Sequence, residues 1–112
     1  MLKKWIAKSA LITLSAMLIN APAAAAPGWT TPLTIETLIP AEEGLIITVT
    51  GNNNPTSCAQ PAWLRLKTTN PNYQMIASSI LTAFSQGKPI KVWQTSCDSD
   101  GYAHFIAAWI DR

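Results

Sequence analysis

One amphipathic helix, bounded by Asn70-Pro71-Asn72-Tyr73 on one side and Gly87-Lys88 on the other, stands between three strand-like runs and two more. Its apolar residues Tyr73, Ile76, Ala77, Ile80, Leu81 and Phe84 fall at offsets 0, 3, 4, 7, 8 and 11, the spacing of a single buried helical face. Asn70 is suited to cap the start. Pro71 suits the first helical position, where its missing N–H would have no partner anyway, and Gly87 can adopt the left-handed conformation that stops the helix. The other apolar runs are short and read as strands.

Those runs lie at residues 33–39, 45–50, 63–67, 89–95 and 102–110. The second is the clearest, because Leu45, Ile47 and Val49 share one face while Ile46, Thr48 and Thr50 share the other. Pro40 to Gly44 forms a turn in which Gly44 is free to take positive φ, so the first two runs are expected to pair as a hairpin. In the third run Leu64 and Leu66 point inward, and Trp63, Arg65 and Lys67 point out; in the fourth Ile90 and Val92 face the core. The fifth run is apolar on both faces, which predicts a central position or a covered outer face. Within it, Trp109 points out if Ile106 and Ile110 face the core.

The order βββαββ is that of a five-stranded OB-like Greek-key barrel, mainly β with one helix. An α+β sandwich, with the helix on an antiparallel sheet, is the alternative. In the barrel, strands three and five are parallel neighbours, so their starting ends meet. Cys58 precedes strand three and Cys97 precedes strand five, and they are the chain's 2 cysteines, so one disulfide is expected.

That bond requires an oxidising compartment, and the N-terminus supplies an address. Lys3, Lys4 and Lys8 precede an apolar run at 10–19, too short to anchor in a bilayer, and Ala23-Ala24-Ala25 offers an A-x-A cleavage site. Residues 1–25 are therefore a signal peptide and 26–112 a single domain, exported to the periplasm or beyond, with no stable membrane insertion. Of 8 basic residues three leave with the leader, so five face 6 acidic ones in the mature chain. A nearly neutral domain has little counterion-release drive toward nucleic acid, and that partner class is excluded.

Catalysis has weak support. His104 has no evident nucleophilic partner, Glu42 and Glu43 sit in a turn, and Asp98, Ser99 and Asp100 make a turn rather than a calcium loop, lacking the helical frame and the distal glutamate. Neither a catalytic residue, a metal ligand set nor a cofactor is expected. Binding is better supported. Trp63, Trp93 and Trp109 are expected on the outside, where indoles stack on sugars or anchor interfaces, and Asn53, Asn54, Asp100 and Tyr102 lie in neighbouring loops that mix amides, carboxylates and aromatics. The uncharged helix positions Gln74, Ser78, Ser79, Thr82 and Ser85 permit close approach of a second copy, so a homo-oligomer is also an expectation.

Asn54-Pro55 with Cys58, Asn70-Pro71-Asn72-Tyr73, Leu81 with Ala83-Phe84, Gly87-Lys88, Ile90 with Val92-Trp93, Cys97, Gly101-Tyr102 and Trp109 together resemble a group of small exported bacterial proteins of unknown function with one disulfide. More distantly, the export signal, size, single bridge and element order look like the receptor-binding B subunits of AB5 toxins of the subtilase cytotoxin type. The resemblance implies an OB-fold that binds cell-surface glycans in a ring of five, with helices lining the pore. The sequence reading is thus an exported, non-enzymatic binding module for a glycan, with a protein-interaction or inhibitor domain as the alternative.

Overall fold

The computed structural model describes residues 25–112; the signal peptide assigned to residues 1–25 lies, but for its last residue, outside the described residues. The chain runs β1 (Gly28–Trp29), β2 (Thr34–Ala41), β3 (Gly44–Thr50), β4 (Gln60–Lys67), α1 (Tyr73–Ser85), β5 (Lys91–Cys97) and β6 (Tyr102–Trp109). The strands form one mixed sheet of 6 in the order β1-β5-β6-β4-β3-β2, in which only β4 and β6 pair in parallel. The described residues are therefore mainly β with one helix. Five strands were expected, and the sixth comes from the Pro-rich entry.

That entry pairs because its donors have acceptors on β5. Thr30 N–H donates to the Val92 carbonyl at 2.9 Å, and Leu33 and Ile90 exchange backbone bonds at 2.7 and 3.0 Å. Residues 28–33 thus run along β5, whereas β2, which follows immediately, pairs with β3. β1 and β2 are the two edges of the sheet, which is not closed by a ladder between them. Leu33, at the crossing, is fully buried.

The hairpin β2–β3 forms as expected, and Gly44 is required at its turn. Its φ is +153°, and a Cβ there would overlap the Leu66 carbonyl oxygen on β4. Ile47, Leu64, Leu66, Val92 and Phe105 meet Ile80 of the helix in the core. β6 occupies the central position that its two apolar faces predicted. Its phase differs from expectation: Phe105 is buried and Ile106 is 52% exposed, while Ile110 packs against the core. The cause is an extra residue in β6, since Val92 pairs with Ala108 but Gln94 pairs with Phe105. Trp109 still points out.

The helix begins later than its capping residues suggested. Asn70 Oδ1 accepts the Asn72 N–H at 2.8 Å, a turn that places Pro71 before the helix rather than at its first position. Gly87, at φ +66°, ends it as expected. Only Ile76, Ile80 and Ala83 are fully buried against the sheet. Leu81 and Phe84, expected within the buried face, are exposed, because β4 and β6 cover one flank of an apolar arc wider than they are.

The loop between β3 and β4 is held to β5 by the disulfide and by a buried glutamine. Cys58 and Cys97 are joined, with Cα atoms 5.4 Å apart and 39 residues of separation. Closing a loop of that length stabilises by roughly 4 kcal/mol in the chain-entropy model. Gln94, fully buried, donates from Nε2 to Asn54 Oδ1 at 3.0 Å and Thr56 Oγ1 at 2.6 Å, and its Oε1 accepts from Asn52 Nδ2 at 3.1 Å. Gln94→Ala removes all of these bonds and leaves a cavity, so it should lower unfolding stability by about 3 kcal/mol in urea titration. Glu36→Ala, at an exposed position, should change it by no more than about 0.5 kcal/mol.

Candidate functional site

The outward residues of β4 and β6 converge because the two strands lie side by side in parallel, with Arg65 opposite His104 and Leu64 opposite Ala103. The rule that alternate residues share a face then puts Trp63, Arg65, Tyr102 and His104 on one surface. Trp63 and Tyr102 stack with ring centroids 5.2 Å apart and planes 19° from parallel. The Arg65 guanidinium lies 5.2 Å from the Tyr102 ring centroid.

Asp98, in the β5–β6 turn, fixes the charged part of this surface. Its Oδ1 accepts the backbone N–H groups of Asp100 and Tyr102, each at 2.9 Å, which accounts for the Asp-Ser-Asp-Gly sequence as turn chemistry. Its Oδ2 lies 2.9 Å from Arg65 Nη1 and 3.4 Å from His104 Nε2. Asp100 and Glu43 approach the same guanidinium at 3.8 and 3.9 Å from the rim. Asp98 Oδ2 and His104 Nε2 are both buried and face each other and Arg65 without a hydrogen bond of good geometry.

Burial raises the cost of ionising Asp98, but the Tyr102 amide, Arg65, the Asp100 amide and His104 together hold its carboxyl below the usual range. His104 is pushed down, first by burial and then by Lys67 and Arg65, against the opposing pull of Asp98. It is therefore neutral at pH 7. Beside it opens a cleft of about 480 Å³ lined by Lys67, Thr69, Asn70, Thr95, Ser96, His104 and Ile106 among others. That size suits a small ligand or one unit of a larger one.

Of the residues the sequence pointed to, Trp63, Asp100 and Tyr102 come together here. Trp93 and Trp109 belong to a separate cluster at the other end of β5 and β6, joined through Trp29. Asn53 and Asn54 do neither. Asn53 Oδ1 accepts the Thr31 N–H at 3.0 Å, tying down the entry segment, while Asn54 Oδ1 accepts the Cys58 N–H at 2.9 Å and Asn54 Nδ2 donates to the Cys58 carbonyl at 2.8 Å. Their amides organise the loop that carries the disulfide. Arg65, Asp98 and His104 were not among the expected binding residues; the signal was there, since Arg65 and Trp63 share the outward parity of β4 and His104 shares that of Tyr102 on β6.

The lowered proton affinity of His104 has a definite consequence for stability. An unfolded chain binds a proton at this histidine near its ordinary value while the folded one does not, so stability is complete above about pH 6.5 and falls as the pH drops from there toward the folded pKa. The depressed Asp98 pKa extends the loss at lower pH, since stability it supplies above the ordinary carboxylate value disappears as the pH falls through its folded value. Thermal unfolding between pH 7 and 5 should show Tm decreasing with acidity, and His104→Gln should flatten that part of the curve while leaving the acid limb below pH 4 in place.

Comparison with protein-family models, with curated proteins and with solved structures finds no match.

Proposed function

We propose that this chain is an exported, non-enzymatic binding module whose ligand is a carbohydrate, held against Trp63 and Tyr102 and in the cleft beside His104. The observation that carries the reading is the stacked aromatic pair set next to oriented charged and amide groups. Sugars are recognised by the same combination: apolar ring faces lie on aromatics, while hydroxyls exchange hydrogen bonds with fixed carboxylates, guanidinium and amides. The indole face of Trp63 turned away from Tyr102 is the stacking surface. The Arg65 guanidinium, set by Asp98, and the exposed Asp100 carboxylate supply polar partners for hydroxyl groups.

The reading extends to the fold type. A sheet with parallel β4 and β6, a helix between β4 and β5, and an entry that pairs along β5 is consistent with an OB-like barrel of slightly irregular strand count. Such barrels bind oligosaccharides or oligonucleotides on strands two and three and the adjoining loops, which here are β3, β4, the turn before Gly44 and the turn at Asp98. Four carboxylates there, Glu42, Glu43, Asp98 and Asp100, outnumber Arg65 and Lys67. A polyanionic nucleic acid is disfavoured by that balance. The resemblance to glycan-binding toxin B subunits points the same way.

A glycan array tests the proposal directly. Saturable binding to at least one glycan is expected, reduced tenfold or more by Trp63→Ala and by Tyr102→Ala, with folding verified by the retained disulfide. An array with no signal, or a signal indifferent to both substitutions, overturns it.

The helix favours a second reading, in which the partner is a protein, either a second copy or an inhibited target. Met75, Leu81 and Phe84 are exposed along α1 and no charged residue interrupts them. Sedimentation at micromolar concentration should give a multiple of the chain mass, and Leu81→Ser together with Phe84→Ser should return it to one; a monomeric wild type removes the self-association form of this reading.

A further inference from the structure

The aromatic cluster at the far end of β5 and β6 has a different chemistry from the candidate sugar surface. Register places Lys91 opposite Trp109 and Trp29 opposite Trp93, so three indoles from three neighbouring strands share one outer face. Trp29 meets Trp93 and Trp109 edge to face, each at 5.5 Å. Trp29 and Trp109 remain 38% and 47% exposed. Lys91 Nζ lies 4.9 Å from the Trp109 ring centroid, and Lys88, Lys91 and Arg112 line one groove beside Trp109, with Asp111 the only acidic side chain among its lining residues.

This arrangement is poorly suited to a sugar. Trp29 stands nearly perpendicular to Trp93 and Trp109, at 78° and 79°, so the three rings form no shared platform, and the Trp109 indole N–H is already donated to Asp111 Oδ1 at 2.8 Å. A lipid headgroup layer asks for neither. It accepts amphipathic indoles at the level of the carbonyls and attracts lysine and arginine when the lipids are anionic.

We infer that Trp29, Trp93 and Trp109 with Lys88, Lys91 and Arg112 form a peripheral docking surface for an anionic lipid bilayer. Attachment is superficial, with indoles seated among headgroups and cations over their phosphates. No helix among the described residues is long and apolar enough to cross a membrane, which matches contact from one side. The docking surface is independent of the sugar reading, because the two aromatic clusters share no residue.

Protein recovered after export, its N-terminus read by mass spectrometry to establish that the leader is gone, should co-sediment with phosphatidylcholine vesicles containing about 30% phosphatidylglycerol at least tenfold better than with phosphatidylcholine alone. Binding should weaken in high salt, and tryptophan emission should shift to the blue on binding. Lys88→Gln and Lys91→Gln should each cost about fivefold in partitioning, and Trp29→Ala with Trp109→Ala should abolish the spectral shift. Trp63→Ala should leave vesicle binding intact while affecting the sugar arm, which separates failure of one proposal from failure of the other. Equal affinity for neutral and anionic vesicles, insensitivity to the lysine substitutions, or a soluble protein or acidic saccharide that saturates the patch and blocks vesicles would overturn the inference.

Discussion

The junction between the β3–β4 loop and β5 is the constraint on which the rest depends. Residues 25–112 bury a modest core, and a nine-residue loop rich in Asn, with Pro, Ser and Thr, would be a costly thing for them to order. Gln94 answers this by occupying a core position with a polar group whose donors and acceptor are all consumed by that loop. Cys58–Cys97 then closes the same contact covalently. Because β4 starts where the loop ends and β6 starts just after Cys97, fixing this one point also fixes the relative start of the two parallel strands. The register that brings Trp63, Arg65, Tyr102 and His104 to one face follows from it.

The β5–β6 hairpin then distributes chemistry along its length. Its turn end carries Asp98 and Asp100 and faces Glu43, while its open end carries Lys91 and lies beside Lys88 and Arg112. A nearly neutral domain is therefore not a featureless one: acidic groups are in excess at the turn end, around Arg65 and Lys67, and basic groups at the open end, beside Asp111. Each end holds an aromatic group, and the geometry of each suits its setting. The rings at the acidic end are stacked beside hydrogen-bonding groups, whereas those at the basic end meet edge to face with Trp29 and Trp109 partly exposed.

Most of the architecture was legible because it rests on local physics. The 3.6-residue period of the helix, the alternation of 45–50 and 63–67, the turn glycines at 44 and 87 and the pairing of the two cysteines all express constraints visible within a few residues. The errors arose where tertiary partners decide. A two-residue strand at Gly28–Trp29 has no periodicity to find and exists only because β5 offers it acceptors. The bulge in β6 reverses the inward phase after Phe105 and cannot be read from a run that is apolar at nearly every position. Leu81 and Phe84 lie on the apolar arc, yet the sheet is not wide enough to cover them.

The candidate site was legible in part for the same reason. Indoles advertise themselves, so the tryptophans were found, but the sequence grouped them as one set because nothing local tells which end of a strand neighbours which. Arg65, Asp98 and His104, each taken alone, are ordinary residues of a strand or turn. Their significance is relational: a carboxylate held by two backbone amides becomes a fixed point against which a guanidinium from β4 and an imidazole from β6 are set. A buried polar position in phase with core residues is the general signal for such relations, and Gln94, following Ile90 and Val92 at the same parity, is the instance this sequence offered. A glutamine there must be answered by several partners, and finding those partners locates the loop, the disulfide and, through the strand register, the surface on which the aromatic and charged groups meet.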